Sequence, residues 1–175
     1  MSRKLLTVAA LAVCALPFAA ARAQLGYGVS AGLSAPTGSF GNSVDAGYNV
    51  SGMLTFSAPL APVGLRVEGS FNEFNYKSTI LSGAKFRALS GTANAVFSSP
   101  GIMGPYLIGG LGIYDMSTSC SGCGSNSSSK FGFNGGGGFK FGLSGFSAFL
   151  EARYHHVSAT GGSISFIPIS FGVTF

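Results

Sequence analysis

The chain has no tryptophan, only three cysteines and few charges: Lys, Arg, Asp and Glu together make up 9% of its 175 residues. Soluble domains carry about 25%, so an ordinary water-facing surface cannot be covered. Long apolar runs are missing too, except for Leu5–Ala21 at the very N-terminus. Everything after that stretch is punctuated by Gly, Ser and Asn, which excludes a bundle of membrane helices. Disorder is excluded by the opposite imbalance, since disordered segments are rich in charge and poor in aromatics, whereas 13% of this chain is aromatic. What is present in quantity is glycine, 28 residues, and phenylalanine, 16. The length fits one domain.

Residues 1–23 read as a secretory signal peptide. Arg3 and Lys4 form the positive start, Leu5–Phe18 the apolar core, and Ala21-Arg22-Ala23 the cleavage site. Cys14 lies inside that core behind Val13, which is bulkier than lipoprotein processing accepts. The domain is then 24–175, beginning at Gln24. Without Arg3, Lys4 and Arg22, the formal charge falls from the +5 of the whole chain to +2, with seven basic side chains against five acidic ones. No basic cluster remains, so nucleic acid is not a partner.

From Gln24 onward the dominant signal is alternation, the period of two that places one set of side chains on each face of a strand. In the first run Leu25, Tyr27, Val29, Ala31 and Leu33 alternate with Gly and Ser. Seven more follow: Tyr48–Ser57, Val63–Asn72, Phe86–Phe97, Tyr106–Met116, Lys130–Phe141, Phe146–His156 and Ser165–Phe175. Eight strands of roughly ten residues have the length that a tilted strand needs to cross a bilayer. The links after odd strands are long (35–46, 75–85, 117–129, 158–164), and those after even strands are short (58–62, 98–104, 143–145). Outer-membrane barrels alternate in this way, with long loops outside and short turns on the periplasmic side.

The rival is a soluble eight-stranded barrel or sandwich, which also alternates. Its apolar face would have to be inside, where eight strands leave room for few side chains. Turning Phe, Leu, Val and Ile to lipid, with Gly, Ser, Thr and Asn inward, removes the conflict. The expected fold is therefore all-β: an eight-stranded antiparallel up-and-down transmembrane β-barrel.

Phe166-Ile-Pro-Ile-Ser-Phe-Gly-Val-Thr-Phe175 resembles the C-terminal signature of bacterial outer-membrane proteins. With Pro105-Tyr-Leu-Ile-Gly-Gly-Leu-Gly-Ile-Tyr114 and Phe149-Leu-Glu-Ala-Arg-Tyr154, it makes the chain similar to the outer-membrane protein beta-barrel domain family, the OmpA/OmpX-like barrels. The resemblance implies an outer-membrane location and recognition of Phe171, Val173 and Phe175 by the barrel assembly machinery. It implies contact with outer-membrane lipids and lipopolysaccharide, and a structural or adhesin-like role through extracellular loops toward a ligand the sequence does not name. No wall-binding domain is expected after the barrel.

Five charged side chains fall on the inward face by parity: Arg66, Glu68, Lys140, Glu151 and Arg153. Charges in a narrow lumen must pair, so the expected arrangement is a network that plugs the barrel; a catalytic pair of Glu68 and Glu151 is the sharper alternative, and a narrow channel a further one. Cys120-Ser-Gly-Cys123 has no second ligand pair for a metal, and in an oxidising exterior reads as a loop disulfide. Gly135–Gly138 is glycine-rich like a phosphate-cradling loop but lacks the Lys-Ser/Thr that such a loop requires. Finally, His156 and Ser158 resemble part of the lipid A deacylase motif, in which a histidine deprotonates a serine. Ala159 stands where that family has Asn, and no Asp or Glu follows Glu151 to orient the histidine. No metal or other cofactor is expected.

Overall fold

The computed structural model describes residues 24–57, 62–79, 83–119, 126–159 and 162–175. Eight strands follow one another: β1 (Gln24–Thr37), β2 (Gly47–Ser57), β3 (Val63–Asn75), β4 (Lys85–Ser98), β5 (Met103–Ser119), β6 (Asn126–Leu143), β7 (Phe146–Ala159) and β8 (Gly162–Thr174), with one short helix, α1 (Gly38–Ser43), after β1. Each strand pairs antiparallel with its neighbour and β8 returns to β1, giving a closed barrel. Closure matters because lipid offers no hydrogen-bond partner to an open strand edge. The seam ends where Tyr27 N donates to Phe175 O at 3.1 Å and Phe175 N donates to Tyr27 O at 2.8 Å.

The register fixes the barrel's shape. Following paired residues round the wall leads from Tyr27 through Leu54, Val67, Ala93, Leu111, Phe133, His156 and Ser165 back to β1 at Thr37, ten positions further along. For eight strands at the usual sheet spacings, that stagger tilts the strands by about 40° to the axis.

The strands have 11 to 18 residues, longer than the ten or so that the alternation marks. β5 and β6 are the longest and extend furthest on the side of α1. The extra length shortens the links, and the last expected long loop, 158–164, is largely taken up by strand, since β7 runs to Ala159 and β8 starts at Gly162. Ser158 and Ser163 pair as strand residues, continuing the ladder that joins His156 to Ser165.

Outward side chains are apolar and exposed: Leu25, Tyr27, Leu33, Leu107, Leu111 (70% exposed), Phe131 and Phe171 among them. The interior differs from the small polar filling expected. Phe40, Phe74, Phe86, Phe149 and Phe166 are all buried in the lumen. At the extracellular end Phe40, Phe74, Phe86, Tyr114 and Phe166 form one apolar cluster, with Phe40 edge-on to Phe74 at 5.3 Å and to Phe86 at 5.0 Å. Helix α1 delivers Phe40 to that position. It leaves β1 through Gly38 at φ 61°, a left-handed conformation that favours glycine, and Lys77 Nζ straps it by donating to Gly41 O at 2.9 Å. Near the periplasmic end Met53, Tyr106, Ile108 and Phe149 make a second cluster. Between the two lies a polar layer in which Ser70 and Ser90 share a bond of 2.7 Å and Asn134 Nδ2 donates to Asn94 Oδ1 at 2.8 Å.

Room for the inward rings comes from glycine. A Cβ on Gly138 would stand 2.6 Å from the Tyr106 ring, and one on Gly132 would stand 2.8 Å from the Tyr114 ring. The run Gly135–Gly138 is therefore part of the wall of β6, where close approach rather than phosphate binding requires glycine.

Candidate functional site

The ion-paired residues of the lumen come from two opposite walls. β3 presents Arg66 and Glu68, β7 presents Glu151 and Arg153, and alternation turns all four inward. Arg66 Nη1 donates to Glu151 Oε2 at 2.7 Å, Arg153 Nη2 donates to Glu68 Oε1, and Arg153 Nε donates to Glu151 Oε1 at 2.8 Å. Tyr106 OH adds a bond of 2.6 Å to Glu151 Oε2. All four charged residues are at most 6% exposed. Two guanidiniums and two carboxylates thus neutralise one another across the lumen, and each carboxylate holds an arginine rather than standing ready as an acid or base. Lys140 is the exception to the expected network. It lies nearer the periplasmic opening than these four, half-exposed, and has no hydrogen bond or ion pair among the described residues.

The extracellular rim carries a second charge cluster. Glu73 and Arg87 are directly opposite on β3 and β4, and Lys85 is one step further out on the same outward face. Lys85 Nζ meets Glu73 Oε1 at 2.6 Å and Arg87 Nε meets Glu73 Oε2 at 2.7 Å. The cations cover the carboxylate and remain 47% and 43% exposed themselves. This cluster was readable in principle, because Glu73, Lys85 and Arg87 share the parity of Leu89, but only once the hairpin register is known.

His156 faces outward, as parity requires, and so does Ser158. The two do not form a dyad, since no hydrogen bond joins them among the described residues. His156 Nδ1 instead bonds Ser165 Oγ at 3.0 Å across the β7–β8 ladder, Tyr154 OH donates to the same Ser165 Oγ at 2.9 Å, and the His156 ring lies 5.0 Å from that of Phe133. Strand pairing beat sequence proximity: Ser165 is the residue opposite His156, whereas Ser158 is one outward position above it. Glu151 is inside, held by Arg66 and Arg153, so it cannot orient this histidine. Phe171, Val173 and Phe175 share the outward face of the last strand, and Phe175 stacks on Tyr27 at 5.5 Å. Cys120, Cys123 and the expected signal peptide, 1–23, lie outside the described residues. Among the described residues no group of His, Cys, Asp and Glu is placed to hold a metal ion.

The wall is closed, eight-stranded and apolar outside, and the sequence profile of the outer membrane protein beta-barrel domain matches residues 6–175. The chain belongs to that family. As a member it shares its fold with solved bacterial barrels. It is similar to Neisserial surface protein A at 16% identity, with 87% of this chain and 97% of that one covered and a TM-score of 0.66. It is similar to the N-terminal barrel domain of Pseudomonas aeruginosa OprF at 14% identity, covering 88% and 100%, TM-score 0.52. For Ail, the attachment invasion locus protein of Yersinia pestis, identity is 20%, coverage 87% and 99%, and the TM-score 0.50; that protein was solved with a heparin analogue, sucrose octasulfate. No curated protein matches by sequence.

Proposed function

We propose that this outer-membrane barrel acts at its extracellular rim, as a surface-contact protein that also stabilises the membrane, and not as a pore or an enzyme. The observation that carries the reading is the filled lumen. With Phe40 and its neighbours in the upper half and the Arg66–Glu151 and Arg153–Glu68 pairs below, contact with the exterior falls to the rim. The rim offers suitable chemistry, since Lys85 and Arg87 are half-exposed cations over a single carboxylate. They stand on the outward face, where lipopolysaccharide phosphates would meet them, and would also suit an acidic polysaccharide. The polyanion held by Ail belongs to the same chemical class. Export through a leader cleaved before Gln24, and assembly guided by Phe171, Val173 and Phe175, complete the proposal.

The test is adhesion. Cells displaying the barrel should bind a heparin-coated surface severalfold better than barrel-free cells, and Lys85→Gln with Arg87→Gln should remove most of the gain. Binding equal to that of barrel-free cells would overturn the reading.

A further inference from the structure

The base of the barrel holds a cavity that the rim function does not use. It has a volume of about 450 Å³ and is bounded by residues at the periplasmic ends of the strands, among them Gln24, Ser57, Ser98 and Ser147. No acidic side chain lines it, whereas two cations do: Arg66 and Lys140. The four ion-paired side chains, Arg66, Glu68, Glu151 and Arg153, sum to zero, so among the described residues Lys140 supplies the net charge at the periplasmic end of the lumen.

The two cations differ in how far they are satisfied from within. Arg66 is 5% exposed, yet its Nε has no hydrogen-bond partner. One edge of the guanidinium is occupied by Glu151, while its centre lies over the rings of Phe149, at 5.1 Å, and Tyr106, at 5.7 Å. That Nε is itself shut off from the cavity, so what Arg66 brings to the space is the positive charge of its guanidinium, acting at short range in a low dielectric. Lys140, inward by parity and without a partner among the described residues, stands at the mouth of the same space. The hydroxyls of Thr55, Ser57 and Ser98 line it as well and supply neutral donors.

We propose that this cavity is a periplasm-facing binding site for an oxyanion, the phosphate or carboxylate group of a small molecule, with Lys140 neutralising its charge at the mouth and the Arg66 guanidinium adding positive potential at the floor. A cavity of this volume takes such a group together with a few further atoms. The arrangement matches what oxyanions require: fixed donors, low dielectric on the ring side and no competing carboxylate. The site is at the opposite end of the barrel from Lys85 and Arg87 and is closed off from them by the ion-paired layer, so it stands or falls independently of the surface-contact role.

The probes are inorganic phosphate and acetate, titrated into the isotope-labelled protein in detergent micelles with chloride held constant. Saturable amide shifts at Thr55, Ser98 and Ser147 are expected from at least one probe, and the tighter of the two identifies the head group. Lys140→Gln should weaken binding about tenfold, the loss of one charge-assisted hydrogen bond, while Lys140→Arg should largely retain it. As a check that needs no variant, phosphate or acetate should slow acylation of Lys140 by an amine reagent, read by mass spectrometry. Absence of saturable shifts, shifts unaltered by Lys140→Gln, or no protection of Lys140 would each overturn the proposal.

Discussion

Arg66 and Glu151 meet at 2.7 Å although 85 positions separate them in the chain. The interval joins β3 to β7, four strands round an eight-stranded ring and so on opposite walls. Arg153 and Glu68 repeat the crossing in the other sense, again 85 positions apart. The barrel is therefore braced across its width as well as laddered along its circumference.

That brace should show itself as coupling. Glu151→Leu leaves Arg66 charged in a nearly closed site, which costs about 3–5 kcal/mol. The double variant Arg66→Met/Glu151→Leu removes the orphaned charge and should recover much of that loss. Urea titration of the refolded protein in detergent measures both, and a double variant as unstable as the sum of the two singles would refute the coupling.

Glycine substitutions should divide by the direction in which the new methyl points. Gly138→Ala would press on the Tyr106 ring and on Leu150 O, both within 2.6 Å of the added carbon, whereas Gly69→Ala and Gly91→Ala meet nothing within 4 Å. The outward pair should give a normal yield of heat-modifiable folded barrel on gels, and Gly138→Ala a reduced one. Equal yields would mean that the inward glycines are not needed to seat the aromatic rings.

Expression of the protein should leave lipid A acylation unchanged, and His156→Ala should make no difference to it. His156 bonds Ser165 rather than Ser158, and among the described residues no carboxylate bonds its ring. Mass spectrometry of lipid A reads the outcome directly; loss of an ester chain that depends on His156 would reverse this conclusion.

Alternation alone made the eight strands legible, because a period of two leaves one face apolar wherever lipid lies on that side. The same parity turned Arg66, Glu68, Glu151 and Arg153 inward without any knowledge of the register. What parity could not supply was position along the barrel axis. Lys140 has the right face but sits too near the periplasmic opening to join the ion pairs, and only the stagger of ten residues reveals that. The aromatic filling was obscured for a related reason. Phe40 lies in a link with no alternation to read, and Phe74, Phe86 and Phe166 lie at strand ends where a phenylalanine fits the lumen or the lipid equally well by composition. His156 and Ser158 were linked through their closeness in sequence, but a ladder brings together residues from different strands, and Ser165 was the partner.

That the lumen is closed, so that contact with the outside falls to the extracellular rim, is tested most directly by conductance across a planar bilayer. Purified protein inserted into the bilayer should give no steady ion current above the baseline of the bilayer alone. A reproducible open-channel current would contradict it, because ions would then be passing the Phe40 cluster and the Arg66–Glu151 brace that lie across the lumen.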